Sequence, residues 1–551
     1  MEYSIYYPFY LKFIGKNLYN FGTPHISFMV FDTILTVIFV SLLFYLFKFL
    51  FGKIINKNLK KRLKQFYRKE LVIILFLFLF SFLLRLAFIN DGLFHHDSVQ
   101  LAKAVQKTID TGKVHSAVGG REGFVIVNSL LFPFLKNILR TQSNDFILNL
   151  ITVLFSSLSI IFVYLFTKEL LENKAAAFFS SIMFSLAPVF LSVTTYVKSH
   201  GMAVFFAICS GYLLIKGIKT NKVYYKLGFG FLFGFSLFVR ITNAFYLIPF
   251  LILYFFSVKI IDKKFEFYKG PLYDLGLYLF PLVIMVILLV FVEYPTIVAQ
   301  ISANKIPINL QEIFRQLLLS FIYLLKSITW LGFLLVLMCF LVFLKKKEYA
   351  KIGFYLAWIV IPFLYFGSLK TTSPRFLIPI LLPLIMLMSL AIIYIWKEYP
   401  DLSKILLITV LMIMVLSIYP IIKLRHEFSS PKEYALFIKN NTEDNAFIIA
   451  RDDVIFLQHY TQRATIGHPL KLFEQQKGYM LASVIDSLNN KTPVYVGTKM
   501  LTLAGNILNR TLHPNFDLEY IDSIYVEDYH HSSVTLNLNK EELFRIKRKG
   551  D

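Results

Sequence analysis

The feature that most constrains this chain is its succession of apolar runs. Each is ~17–24 residues long, the length an α-helix needs to cross ~30 Å of hydrocarbon. Leu71–Ile89, Phe146–Thr167, Met202–Ile218, Leu275–Val292, Phe376–Trp396 and Ile405–Ile422 are of this kind. Backbone in hydrocarbon must satisfy its own hydrogen bonds, so such runs specify helices. Of the 551 residues 57% are hydrophobic and 59 are phenylalanine, which argues against a soluble protein with polar-surfaced domains. The expected fold is an α-helical polytopic membrane protein of about twelve transmembrane helices.

The net charge of +23 would suit a nucleic-acid partner if it were gathered on one face. Instead the lysines and arginines cluster in short loops between apolar runs, where they orient helices, and no nucleic acid is expected. The basic segments Gly52–Lys69 and Lys345–Lys351 are assigned to the cytoplasm. Alternation then places both termini and the loop Asn90–Asp145 on the external side. Residues 1–27 read as an interfacial segment with no cleavable signal peptide. Both cysteines, Cys209 and Cys339, lie in apolar runs, so no disulfide framework or cysteine zinc site is expected.

Residues 28–425 form the membrane domain in this reading. Ala175–Val197 is taken as one span, and Thr296–Gln316 as an external amphipathic segment after a span ending at Val292. Leu227–Val258 is too long for one span and carries Arg240 in its middle. A central arginine is costly in lipid, so two short helices meeting near the external face are predicted. Residues 426–551 change texture. A helix at Pro431–Asn440, strands at Ala446–Ala450, Val494–Val496, Leu518–Val526 and Val534–Leu538, and a helix at Tyr479–Leu488 predict a small external α/β domain. Asn-x-Ser/Thr patterns at Asn440, Asn490 and Asn509 agree with an external location.

Ionisable residues are scarce within the apolar runs, and the exceptions gather at ends assigned to one side: His95, His96, Asp97, Lys198, His200, Arg240, Glu293, Lys370 and Arg375. One potential base among several cations suits an anionic head group and an acceptor that must lose a proton. Plainer roles stand beside this one. Asp97 can cap a helix over Ser98–Thr108, and the arginines can snorkel to head groups. His95, His96, Lys198, His200, Lys370 and Glu293 can be solvated loop or helix-end residues. His95 and His96 with Asp97 or His115 can alternatively hold a divalent metal.

The sequence also resembles a known family at three places: His96-Asp97 followed by Ser98-Val99-Gln100-Leu101-Ala102-Lys103-Ala104, Leu237–Asn243, and Pro374–Pro379. In their order and spacing these resemble the GT-C glycosyltransferases over roughly Leu71 to Ile422. The subgroup is that of the protein O-mannosyltransferases and the lipid A aminoarabinose transferase. The resemblance implies an inverting transfer of sugar from a polyprenyl- or dolichyl-phosphate donor to a protein, lipid or glycan acceptor. It implies that Asp97 is the catalytic base and that Arg375, with Arg240 and Lys370, binds the donor phosphate. His95, His96, Lys198, His200 and Glu293 remain substrate-binding candidates.

Two departures matter. The family often has Asp-Glu in the first loop, whereas here two histidines precede Asp97 and Ser98 follows it. The Trp-Trp-Asp motif of oligosaccharyltransferases is absent from the sequence, which disfavours transfer of whole glycans to asparagine. The alternative function is a secondary transporter or lipid-linked sugar flippase, which predicts an internal repeat and midplane charges. Neither is evident.

Overall fold

The structure is a computed structural model, and it describes residues 70–115, 121–260, 271–303, 309–369, 373–427, 430–450, 454–467, 482–497, 516–527 and 538–548, with part of 37–45. The expectations for residues 1–27, the basic segment Gly52–Lys69 and Lys370 fall outside these residues.

The chain begins with α1 (Glu70–Leu86), then α2 (His96–Thr111) and α3 (Glu122–Ile138), both within the expected external loop. It continues through α4 (Asn144–Leu171), α5 (Lys174–Leu186), the short α6 (Pro188–Ser192), α7 (His200–Thr220) and α8 (Val223–Val239). After a 3-10 turn at Ile241–Tyr246 come α9 (Leu247–Ile260), α10 (Pro271–Ala303), α11 (Leu310–Ile328), α12 (Trp330–Lys345) and α13 (Tyr349–Gly367). A second 3-10 turn, Pro374–Leu377, leads into α14 (Ile378–Glu398) and α15 (Pro400–Glu427). Among the described residues, six helices are long and apolar enough to cross a membrane, or seven if the bent pair α11–α12 counts as one span. Three further apolar helices are shorter, two of them the short helices expected on either side of Arg240, so fewer uninterrupted spans are described than the about twelve spans expected.

Breaks explain part of the difference. The expected span Ala175–Val197 ends at Leu186, because Ala187-Pro188 starts a separate short helix and residues 193–199 are not helical. The expected amphipathic segment Thr296–Gln316 is divided: its first residues are the last turns of α10, which runs on to Ala303, and Leu310–Gln316 begins α11. At Thr329 (φ 69°) α11 and α12 bend by 95°, and the Thr329 hydroxyl accepts from Gly332 N–H as the α12 cap. A β-branched residue in this region is strained, so packing on both sides must hold the corner. The predicted break at Arg240 is present: α8 ends at Val239, Arg240 is extended (φ −166°, ψ 113°), and the 3-10 turn follows.

Helix packing sets the approach of the segments that matter for function. Small residues let membrane helices come close. Gly201, in the first turn of α7, faces Ser156 of α4 so tightly that a Cβ there would collide with the serine hydroxyl. The adjacent segment 193–199 is thereby pressed against the start of α2 and α4.

After α16 (Ser430–Asn440) the chain forms β1 (Phe447–Ala450), α17 (Val454–Tyr460), β2 (Ala464–Gly467), β3 (Val494–Gly497), β4 (Phe516–Glu527) and β5 (Leu538–Arg548). The sheet order is β2-β1-β3-β5-β4, with β1 parallel to β2 and β3 and with β5 antiparallel to β3 and β4. Ile449, Val494, Val496 and Ile546 make one buried face. This unit is the expected small α/β domain, with β2 and most of β5 added to the predicted strands. It docks on the loop before α2: Tyr460 Oη donates to Asp145 Oδ2 at 2.8 Å and accepts from Leu93 N–H at 2.8 Å.

Candidate active site

α2 starts at a capped N-terminus. His95, extended at φ −138° and ψ 146°, is the N-cap, and its Nδ1 accepts from the Asp97 N–H at 3.1 Å. The expectation that Asp97 itself caps the helix is therefore corrected. Asp97 stands in the first turn, where unpaired N–H groups favour a carboxylate. Ser98 Oγ donates to Val197 O at 2.6 Å, which ties this turn to the segment between α6 and α7.

That segment is held from two further sides. Asn149 of α4 donates to Asn90 O (2.8 Å) and Gly92 O (3.1 Å) and accepts from Val197 N–H at 2.7 Å. Arg85, buried at the end of α1, donates to Thr194 Oγ1 (2.9 Å) and Ser185 Oγ (3.1 Å). The result is a fixed place for Lys198, whose side chain is only 1% exposed.

Lys198 Nζ lies 2.7 Å from Asp97 Oδ2 and 2.9 Å from His95 Nδ1. Arg121, just before α3, brings both terminal nitrogens to 3.2 Å from the same carboxylate oxygen. On the other side His96 Nε2 approaches Asp97 Oδ1 to 2.9 Å. Burial by itself would raise the Asp97 carboxyl. The Lys198 and Arg121 charges and the bond from His96 outweigh it and hold the group well below the usual carboxylate range. Burial, reinforced by Lys198 and opposed by Asp97, pushes the His95 imidazole well below its usual value.

Arg375 reaches the cluster from the 3-10 turn ahead of α14, with Nη1 3.2 Å from His95 Nε2. It also borders a small cavity with His200, Arg240, Asn243 and Tyr246. Arg240 donates to Thr242 Oγ1 at 2.9 Å and approaches Ser199 Oγ at 3.5 Å. Among the described residues no carboxylate pairs with Arg240 or Arg375. Neither ring nitrogen of the buried His200 nor the Tyr246 hydroxyl has a hydrogen-bond partner there.

Seven of the nine sequence candidates, His95, His96, Asp97, Lys198, His200, Arg240 and Arg375, thus gather into one site and its adjoining cavity. Glu293 lies within α10, and its side chain is outside the described set, as is Lys370. Arg121 went unnamed in the sequence, where its signal is a lone basic residue after Gly119-Gly120. The alternative of a metal site does not fit well. Ligand atoms of His95, His96 and Asp97 lie within 4.8 Å of one another. However, His95 Nδ1 and the carboxylate already face Lys198 and Arg121, and these cations would repel a dication. His115 sits beyond the far end of α2, roughly 22 Å along the helix, and is no part of the cluster.

The whole architecture has known counterparts. ArnT from Cupriavidus metallidurans bound to undecaprenyl phosphate superposes with a TM-score of 0.54 at 10% identity, covering 86% of this chain and 97% of that one. The oligosaccharyltransferase AglB from Archaeoglobus fulgidus, in complex with an inhibitory peptide and a dolichol-phosphate, gives 0.52 at 13% identity, over 86% and 74%. The chain has the GT-C fold. Within the GT-C fold, residues 131–292 also match the family model described as dolichyl-phosphate-mannose-protein mannosyltransferase. No curated protein matches the chain by sequence.

Proposed function

We propose that the protein is an integral-membrane inverting glycosyltransferase. It moves a sugar from a polyprenyl- or dolichyl-phosphate donor to a protein, lipid or glycan acceptor on the extracytoplasmic side. The observation that carries this reading is the charge imbalance at the site. Arg121 and Lys198 share the Asp97 carboxylate, while Arg240 and Arg375 have no described carboxylate of their own.

His95 sharpens the argument. Its Nδ1 accepts from the Asp97 amide, so in the neutral ring the proton is on Nε2, which faces the Arg375 guanidinium. Two donors face each other there, and an anion between them would accept from both. A phosphate oxygen is such an acceptor, and arginine forks bind phosphate well. The lipid phosphates held by ArnT and AglB support the same class of donor.

In this account Arg375 and Arg240 bind the donor phosphate, and its ester oxygen leaves with the bonding electrons. The acceptor hydroxyl attacks the anomeric carbon from the opposite face, and the ionised carboxylate of Asp97 organises removal of its proton. Phosphate is a good leaving group, so positioning and proton removal provide much of the catalysis.

The test is incubation of the purified full chain with a panel of radiolabelled polyprenyl-phosphate sugars and cell-envelope acceptors. Release of lipid phosphate with transfer of label is the expected result. A panel that yields no turnover, while the protein moves intact lipid-linked sugar across vesicles, would replace the enzyme with a flippase.

A further inference from the structure

The proposed reaction needs a proton acceptor, and Asp97 is poorly placed to be one. Its Oδ2 is taken by Lys198 at 2.7 Å and by Arg121 at 3.2 Å, and its side chain is 11% exposed. A carboxylate so paired stays ionised but is a weak base. His96, the next residue back, has the opposite character. Its side chain is 48% exposed, its Nε2 lies 2.9 Å from Asp97 Oδ1, and among the described residues nothing pairs with its Nδ1. The ring packs on His95 with centroids 4.1 Å apart, which fixes its plane.

We infer that His96 is the general base of the transfer, and that Asp97 is the residue that positions it. This rests on the glycosyltransferase reading and deepens it. Nε2–H points to the carboxylate, which selects the tautomer whose free lone pair is on Nδ1. As the acceptor oxygen bonds to the anomeric carbon, the bond from that carbon to the phosphate oxygen breaks, and its electron pair leaves with the lipid phosphate. The acceptor's proton passes to Nδ1. The resulting imidazolium sits against the Asp97 carboxylate, as in other carboxylate–imidazole pairs, and then returns the proton to water through its exposed edge. Lys198 and Arg121 keep that carboxylate ionised throughout. The two histidines ahead of Asp97 thereby divide the work: His95 caps the helix and faces Arg375, and His96 moves the proton.

His96→Gln separates this from direct catalysis by Asp97. The glutamine amide can still donate to Asp97, but it cannot accept a proton. With the donor sugar that the parent enzyme turns over, His96→Gln should lower kcat by about 10²–10⁴-fold and leave donor KM within about threefold. His96→Gly should regain part of its rate with added free imidazole, and Asp97→Asn should not. Parent-level kcat in His96→Gln, or no imidazole response in a folded His96→Gly, would overturn the inference while leaving the enzyme reading intact. Absence of turnover in the parent itself would remove both.

Discussion

The backbone amide of Val197 donates to the side-chain oxygen of Asn149 at 2.7 Å. Through this one bond, α4 sets the position of the lysine that follows. The Asn149 amide nitrogen also holds the carbonyls of Asn90 and Gly92, so one buried residue aligns the strand of chain before Asp97 with the one before Lys198. Asn149→Leu removes all three of these hydrogen bonds, at about 1–3 kcal/mol for a buried group left unsatisfied. Thermal unfolding in detergent should show that loss, and transfer should fall further than stability alone accounts for.

Asp97 and Lys198 form a pair in which each makes the other tolerable. Asp97→Asn strands the lysine charge, a loss of about 3–5 kcal/mol for a broken buried pair. Adding Lys198→Met to that variant should return part of the stability, since a neutral side chain of similar volume needs no counter-charge. Neither variant should transfer sugar. Full activity in a folded Asp97→Asn protein would remove the carboxylate from the mechanism.

His95 gives the pH dependence its sign. Its folded imidazole is held well below the ordinary value of about 6.5, so the folded state binds fewer protons than the unfolded chain below that pH. The stability it contributes is present above pH ~6.5 and is lost as pH falls, by up to ~1.4 kcal/mol per unit. Asparagine is a good N-cap and does not titrate, so His95→Asn should flatten the decline in melting temperature between roughly pH 6.5 and 5. An equally steep decline in that variant would mean another group is responsible.

Much of this was legible in the sequence. Apolar length marks spans because lipid offers no partners to a bare backbone, and Arg240 marked a break because a mid-span guanidinium has to reach something polar. What failed depended on contacts between distant segments. Nothing local says that Arg121, after two glycines, folds back onto Asp97. Asp97 looked like a cap because aspartate usually is one, yet His95 lies one step ahead and takes that role. Ala187-Pro188 could have been read as a helix break, but the apolar run continued to Val197 and masked it. The α10 extension past Val292 was hidden by Pro295, which sits inside the helix.

The Tyr460 hydroxyl is one link between the sheet domain and the site, beside the Lys432–Asp91 and His459–Asp145 pairs and the packing of Phe456. Tyr460 Oη joins Asp145 and the Leu93 amide two residues before the His95 cap. Tyr460→Phe should cost about 1–3 kcal/mol at that junction and expose the region after α15 to protease without unfolding the helices. Limited proteolysis of parent and variant, with circular dichroism as the control, checks it.

The claim on which the account depends is that Arg375 and Arg240 await a lipid phosphate. Equilibrium binding of polyprenyl phosphate to the purified protein in nanodiscs measures this directly. The account predicts that Arg375→Ala weakens binding by about 30-fold or more, equivalent to about 2 kcal/mol, and that Arg375→Lys recovers little. Arg240→Ala should weaken it as well. Unchanged affinity in both alanine variants would contradict the account, because the site's excess positive charge would then have no substrate to meet.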